Sequence, residues 1–541
     1  MTLRASDLRS GTWAHLMEID LEGSTLRFGE VAVESVTFGP LGAAVDFIGG
    51  LDVGGSVGRE IDLFEDVPSS RTLNATLDAT ARVDAPKMVL AGHTFLGAEV
   101  RVYLHPLGTQ RREEVFRGVI TAFEFQTKAD PISLTASSSI GDDVGTVHGP
   151  WDKQRHIDLV RDDEQQDTWL PVVFGAPGNG SASTDPEDHM YGSPAFGATQ
   201  LVAPYDIATI SAHPTAVGTA AAGQVFFWNK TKDASGLVDV YHLDTLRGET
   251  ISYADINPPA AQWEIGDEMW IDWGASEGGL AGSGGALLRG AGDVLHWMAT
   301  RARGVKMDLP RIESIRDRLN AFKIDVAVWG VDGEHVRPLE WVNEYLIPML
   351  PVSAVAGPGG LSYSVWDPDA TSHDAVATLN TATGGNAARI SDVESSDLSD
   401  IANDITVRYG FDAKSGKPTK ERRIVGDPEI AAESGTVRLG LWAQRSQQRF
   451  GRRVAPKIDL PAVWDDTTAD MAAAWLERRW SLPTYAVSYE CRPDLAYLRP
   501  GDVVTIKDAG LRLSDRVALV TVATPERSGT VKVRVRIYEG G

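Results

Sequence analysis

Alternation of apolar and polar residues is the dominant pattern along this chain. Between residues 24 and 140, "EVAVESVTF" places Val31, Val33 and Ser35 on one face and slips its alternation near Val36. "AEVRVYLH" sets Val100, Val102 and Leu104 against Arg101 and Tyr103, and "EVFRGVITAFEFQT" follows a polar turn at "GTQRREE". Period-two runs separated by Gly and polar clusters predict the strands of a barrel or sandwich. Residues 141–200 are rich in turn formers and read as a surface connection, interrupted by the apolar "TWLPVVFG" at 168–175. A second β-rich stretch covers 200–275 and closes on "WEIGDEMWIDW", where a Gly-Asp turn launches a strand. The glycine-rich "SEGGLAGSGG" at 276–285 predicts a flexible joint.

The period then changes. Asp293 is placed to cap a helix over "VLHWMATRAR" that ends at Gly304. "PRIESIRDRLN" puts Pro310 in a first turn and spaces Ile312, Ile315 and Leu319 at helical intervals; "PLEWVNEYLIPML" repeats the device with Pro338. Both are expected to pack on the strand "AFKIDVAVWG". From 403 onward strands return in "NDITVRYGF" and "TVRLGLWA", followed by one helix, "DDTTADMAAAWLERRW" at 465–480. Ala472, Trp475 and Leu476 form its core stripe, with Glu477 and Arg478 facing out. The last strand, "TVKVRVRIYE", carries Val531, Val533, Val535 and Ile537 on one face and Lys532, Arg534 and Arg536 on the other.

The predicted fold class is therefore mainly β with some α (α+β), built from several barrel or sandwich domains with a few packed helices. The expected division is an N-terminal β-barrel domain at 1–150, a turn-rich connection at 151–200 and an inserted β-rich domain at 201–285. An α+β domain at 286–400 and a C-terminal β-barrel domain with one helix at 401–541 complete it.

At 541 residues the chain is too long for one hydrophobic core. Its 43% hydrophobic and 23% charged residues are those of an ordinary globular protein. No apolar run approaches the ~18 residues of a membrane span, and the N-terminus has no apolar core of a secretory signal. A net charge of −24 opposes adhesion to nucleic acid and anionic lipid; solubility is its commoner role, and it also suits a wall that nucleic acid must pass without sticking.

Candidate chemistry is sparse. The 11 histidines are scattered, with no HExxH or HxH pair. "GASEG" matches GxSxG around Ser276, but the glycine-rich residues after it cannot form the helix of a nucleophile elbow. "DDEQQD" (162–167) and "DPDATSHD" (367–374) lack the spacing of a calcium loop. The single cysteine, Cys491, ends a strand and is followed by Pro493, so it reads as a small core residue rather than a nucleophile. No catalytic residue, cofactor or metal is expected. Lys532, Arg534 and Arg536 are a possible subunit-interface or channel stripe, paired with carboxylates across a contact or on a neighbouring strand. Trp228, Trp263, Trp270 and Trp273 are possible glycan-stacking faces, with core packing the commoner role of tryptophan.

The C-terminal third contains an ordered series: "NDITVRYGF", "RSQQRFGRR", the Thr-Ala helix, "CRPDLAYLRPGDVVTIKD" and a valine-rich final strand. It resembles the hub proteins at the tip of long-tailed bacteriophages. "LAGHTFLGAEVRVYL" with "FRGVITAFEF", and "WVNEYLIPMLP" before "GPGGLSYSV", look like earlier hub segments. The resemblance implies a homotrimeric virion protein with two barrel-like domains per subunit in a pseudo-sixfold ring. Implied partners are a distal tail or tail-tube protein, the tape-measure protein C-terminus, and a tail fibre or receptor-binding protein. DNA passes without specific binding, and assembly takes place in the host cytoplasm. Many such hubs carry an appended peptidase, lysozyme or fibre domain, whereas here the last hub-like strand runs to "IYEGG". Two other readings stay open: a wall-active hydrolase whose carboxylates converge only in the fold, and a host-glycan-binding module built on the insert.

Overall fold

The strand Trp13–Leu21 shows why the N-terminal lobe is mostly sheet. Met17, Ile19 and Leu21 join one large apolar core, while Leu16 packs in a smaller cluster with Val36, Phe47 and Tyr103. Both faces are covered, so this strand sits mid-sheet. The computed structural model describes residues 13–21, 24–37, 44–54, 59–60, 72–78, 95–107, 112–124, 131–138, 172–175, 191–192, 195–196, 200–202, 213–215, 218–229, 231–244, 250–255, 269–272, 288–301, 307–328, 341–357, 360–367, 370–411, 417–432, 436–526 and 530–538. The architecture is mainly β with packed helices, as the alternation predicts.

Nine strands form the N-terminal sheet, in the order 33–37, 44–49, 24–29, 13–21, 99–106, 113–124, 132–138, 72–77, 51–54. Its one parallel pair joins Phe28 and Gly29 to Ile48 and Gly49. The alternation slip near Val36 is a real irregularity, because the register shifts between Val33 and Val36. Tyr103 departs from expectation: it is buried, with its hydroxyl donating to the buried Glu18 at 3.0 Å. The polar face of "AEVRVYLH" is a buried network rather than a solvated one.

The C-terminal sheet follows the order 377–380, 503–508, 513–525, 531–538, 484–491, 387–389, with 394–395 also on 484–491. Val531, Val533 and Val535 are fully buried opposite Cys491, Tyr489 and Val487, while Lys532 is exposed, as the final alternation predicts. This inner face shares one apolar cluster with Met17, Ile19, Val100 and Val102 of the N-terminal sheet. The Arg59–Glu60 strand also pairs with Val522 and Ala523, and the Trp13 indole donates to the Glu526 carbonyl at 3.2 Å. The two lobes are therefore packed together across the length of the sequence.

Between them lies a helical unit. Ala291–Arg301 packs on Leu309–Leu319, whose Ile312 and Leu319 are buried and whose Asp308 caps the Arg311 amide. Asp293 lies inside the first turn rather than at the cap. Its amide donates to Asn320 Oδ1 at 2.9 Å, and its carboxylate holds Asn320 Nδ2 and Arg316 Nε, so the next helix caps this one. Gly304 and Pro338 lie outside the described residues. "WVNEYL" forms a π-helical turn, Val342–Leu346. In 401–541 the expected single helix has company. Pro428–Ala432 and Leu441–Phe450 are also helical, and the second begins inside the predicted strand "TVRLGLWA", of which only Val437–Leu439 is extended.

"TWLPVVFG" contributes the strand Val172–Phe174, paired with Val326–Val328, and Phe174 is buried against Trp297 and Trp341. Gly175 follows at φ +65°, and an added Cβ would lie 1.9 Å from the Ile324 carbonyl, so only glycine fits. Its amide donates to the Leu288 carbonyl at 2.9 Å. The chain thus leaves the helical unit at Gly175 and returns beside it at Leu288. A separate sheet of seven strands lies between, ordered 191–192, 269–272, 224–229, 234–244, 250–255, 200–202, 195–196. The buried Asp325 holds Arg289 by two bonds of 2.7 and 2.9 Å and pins the return point.

Replacing residues 177–286 with a short Gly-Ser linker is expected to leave a folded protein whose remaining lobes unfold cooperatively near the parental temperature. Calorimetry of the two proteins checks this; loss of the cooperative transition would show that the intervening sheet is needed by the rest.

Candidate functional site

The residues that the sequence quotes as separate motifs meet at one buried joint. The strand Asp404–Phe411 enters the second core through Ile405, Val407 and Tyr409. At its head, Asn403 and Asp404 are both buried. The Asn403 amide nitrogen donates to Ser446 Oγ at 3.0 Å and to the Gly451 carbonyl at 2.8 Å, while its oxygen accepts from the Arg453 amide at 2.8 Å. Asn403 therefore ties "NDITVRYGF" to "RSQQRFGRR" using every donor and acceptor direction of a primary amide that the joint presents.

Asp404 adds charge. Arg423, from the adjacent strand Pro418–Val425, meets it with two parallel bonds, Nε to Oδ1 and Nη2 to Oδ2, each 2.7 Å. Arg452 approaches Oδ2 from the other side, with Nε at 2.8 Å and Nη2 at 2.6 Å. Burial pushes the Asp404 carboxyl upward, but the two guanidinium groups outweigh it and hold the pKa below the ordinary aspartate value. A carboxylate so held is neither a base nor a nucleophile in waiting; it is a structural counter-ion.

A second carboxylate completes the joint. Helix Asp466–Trp480 is capped by Asp465, which accepts from the Thr468 amide at 2.7 Å and its hydroxyl at 2.9 Å. Ala472, Trp475 and Leu476 are buried as predicted, but Glu477 is buried too. Its Oε1 accepts from the Trp442 and Ala443 amides, both at 2.8 Å. It thus supplies, from another helix, the N-terminal cap that Gly440 cannot. Desolvation raises the Glu477 pKa, opposed by these two amides. Arg478 lies over the Trp442 ring, 3.8 Å from its centroid.

The stretch around Cys491 is a corner. Cys491 is buried between Ala387 and Val531, and burial pushes its thiol up to about 12, so it carries no thiolate at neutral pH. Pro500-Gly501-Asp502 then seats on the helical unit. The Gly501 amide bonds the Val520 carbonyl at 2.8 Å, and Arg311 Nη2 bonds the Pro500 carbonyl at 2.9 Å. Gly501 has φ +89°, and an added Cβ would fall 1.6 Å from Ser364 Oγ of "GGLSYSV".

The basic stripe is partly satisfied within the chain. Lys532 faces Glu490 in the register, and Arg534 forms an ion pair with Glu394, which lies one strand further on, across 484–491. Arg536 lies opposite Ala486. Of the four tryptophans, Trp228 is half-buried, donates to Asp233 Oδ1 at 3.3 Å and stands opposite Trp270 across the strand pair. Trp263 and Trp273 lie outside the described residues, as do Ser276 and the 162–167 carboxylates. In "DPDATSHD", Asp367 pairs with Arg318 and Asp374 binds the Thr371 amide and hydroxyl. Among the described residues, no cluster of His, Cys, Asp or Glu is arranged to hold a metal, and no helix is long and apolar enough to cross a membrane.

The chain is mainly β, with several sheets and ion-paired corners between its elements. Residues 346–521 match the family described as "Putative phage tail protein", a span that runs from the π-helical turn to the strand beyond the Pro-Gly-Asp corner. Over that stretch the chain carries the phage tail protein signature, and the resemblance drawn from its motifs is borne out at that level. Among solved structures it is similar to a tail protein from Neisseria meningitidis MC58 (10% identity, 97% of each chain, TM-score 0.34). It is also similar to the 43 kDa tail protein of prophage MuSo2 from Shewanella oneidensis (10% identity, 96% of this chain and 98% of that one, TM-score 0.31). A third is the prophage tail protein gp18 from Listeria monocytogenes EGD-e (7% identity, 97% and 95%, TM-score 0.34). Likenesses this distant carry no weight beside the family match. No curated protein sequence matches the chain.

Removing one partner from a buried ion pair costs about 3–5 kcal/mol. Asp404→Ala is expected to lower stability by that order in urea denaturation at pH 7. Because the folded pKa of Asp404 is depressed, its contribution is full above the unfolded value of roughly 3.9 and is lost as pH falls toward the folded value. The stability gap between wild type and Asp404→Asn should therefore be widest near neutrality, begin to narrow near about pH 4 and close only as pH falls toward the lower folded value. Gly501→Ala combines positive φ with a clash and should cost about 2–4 kcal/mol by the same measurement.

Proposed function

We propose that this protein is a structural hub at the distal end of a phage tail. In this reading it is a homotrimer that joins the tail-tube or distal tail ring to the tip and encloses the channel through which DNA leaves. The observation that carries the reading is the match of residues 346–521 to phage tail proteins, in a chain whose motifs close into a rigid joint rather than an active site. Each subunit contributes two β lobes buried against each other, the sheets of 13–138 and of 377–538. Three copies around one axis present six such lobes, which fits attachment to a sixfold tube. The net charge of −24 per chain gives a ring that repels the phosphate backbone, so DNA slides past without being held. The tape-measure protein C-terminus is the expected occupant of the channel before ejection, and fibres or a receptor-binding protein attach below or outside. Assembly occurs in the host cytoplasm.

Light scattering across a concentration series tests the reading. A species near three times 58.3 kDa, with a central channel by electron microscopy, is the expected result. A strict monomer that clears a zone in a peptidoglycan zymogram would replace the hub with a wall-active hydrolase.

A further inference from the structure

Two exposed faces of opposite character stand on the C-terminal half. The first is the outer side of helix Leu441–Phe450. Ala443 and Ser446 point inward, whereas Leu441, Arg445 and Arg449 point out. Leu441 is 57% exposed, and Val454, just past the helix, is 64% exposed. Arg445 lies 4.7 Å over the Trp442 ring and Arg449 5.0 Å over the Phe450 ring, so aromatic surfaces hold both cations in place.

The second face is the ribbon 390–400, which runs beside the edge of the C-terminal sheet. Ile390, Val393 and Leu398 are exposed, the last by 49%. Asp392, Asp397 and Asp400 are exposed among them, and the segment "ISDVESSDLSD" contains no Lys or Arg. One face is therefore apolar and cationic, the other apolar and anionic.

We propose that these faces dock on each other between neighbouring copies, the helix 441–450 of one subunit against the ribbon 390–400 of the next. The inference rests on the ring reading and names the surfaces that make it. Copies carrying −24 each repel, so association needs a local site where the sign reverses. Opposed charges set register and exclude like pairings, while the exposed aliphatic side chains supply the area that is worth burying. Two different patches form a heterologous contact, which closes into a ring where the rotation between copies divides a full turn. The two faces are tied together inside each subunit: Arg453 Nη1 donates to the Leu398 carbonyl at 3.2 Å, and Asn403 holds the Arg453 amide, so both faces hang on one joint.

The test is charge reversal in the full chain, with circular dichroism to verify folding and light scattering to read assembly. Arg445→Glu with Arg449→Glu, and separately Asp392→Lys with Asp397→Lys, should each raise the dissociation constant of the oligomer by about tenfold or more. The chain carrying all four reversals should reassemble, because its faces are again complementary. If the wild type assembles and neither pair changes it, or if the fourfold variant fails to recover while folded, the contact is wrong and the ring reading stands. If the wild type stays monomeric at every concentration, the ring reading fails and takes this contact with it.

Discussion

A buried carboxylate between two guanidinium groups is the constraint on which the C-terminal half depends. Asp404 is removed from water, and an uncompensated charge there would cost several kcal/mol. It is tolerable only while Arg423 and Arg452 both reach it. Arg423 comes from the neighbouring strand and Arg452 from just beyond helix Leu441–Phe450, so the requirement brings strand and helix end together. Asn403 then locks the helix exit through Gly451 and Arg453, and Glu477 locks its entry through the Trp442 and Ala443 amides. Both ends of one helix are therefore held by side chains from elsewhere in the chain.

Local patterns made the sheets legible and non-local ones hid the joint. Val531, Val533, Val535 and Ile537 alternate with cations because one face of their strand meets the core, and period two reports that directly. The slip near Val36 was visible for the same reason. Helix Leu441–Phe450 was misread because "TVRL" alternates and because its inner face is Ala443 and Ser446, which carry no hydrophobic periodicity. Glu477 looked like a solvent-facing residue, since the amides that donate to it lie on a helix 34 and 35 positions earlier. Asn403, Asp404 and Arg452 sat in plain view within two quoted motifs. Nothing in their spacing says that they touch, because side-chain pairing across a fold has no sequence period.

The same logic explains the glycine of the Pro-Gly-Asp corner. A turn could use other residues, but this one must let backbone approach Ser364 while Arg311 takes the Pro500 carbonyl. Gly501 therefore joins the C-terminal sheet to the helical unit, and Gly175 ends the strand Val172–Phe174 beside Ile324. At these two corners side-chain volume has been removed and polar contacts have taken its place.

Buried ion pairs are weak contributors to net stability, because desolvation consumes much of the Coulomb energy. Their advantage lies in direction: a bidentate arginine tolerates little rotation, whereas an apolar contact slides. A joint that must keep one angle has more use for direction than for total stability. The Asp404 joint, the cross-helix cap of Glu477 and the Asp325–Arg289 pair beside Gly175 all sit where one element turns into another. Apolar packing fills the lobes and charge fixes the turns between them. The match of residues 346–521 to phage tail proteins carries the functional reading, and these oriented charge pairs show how that stretch is held in shape.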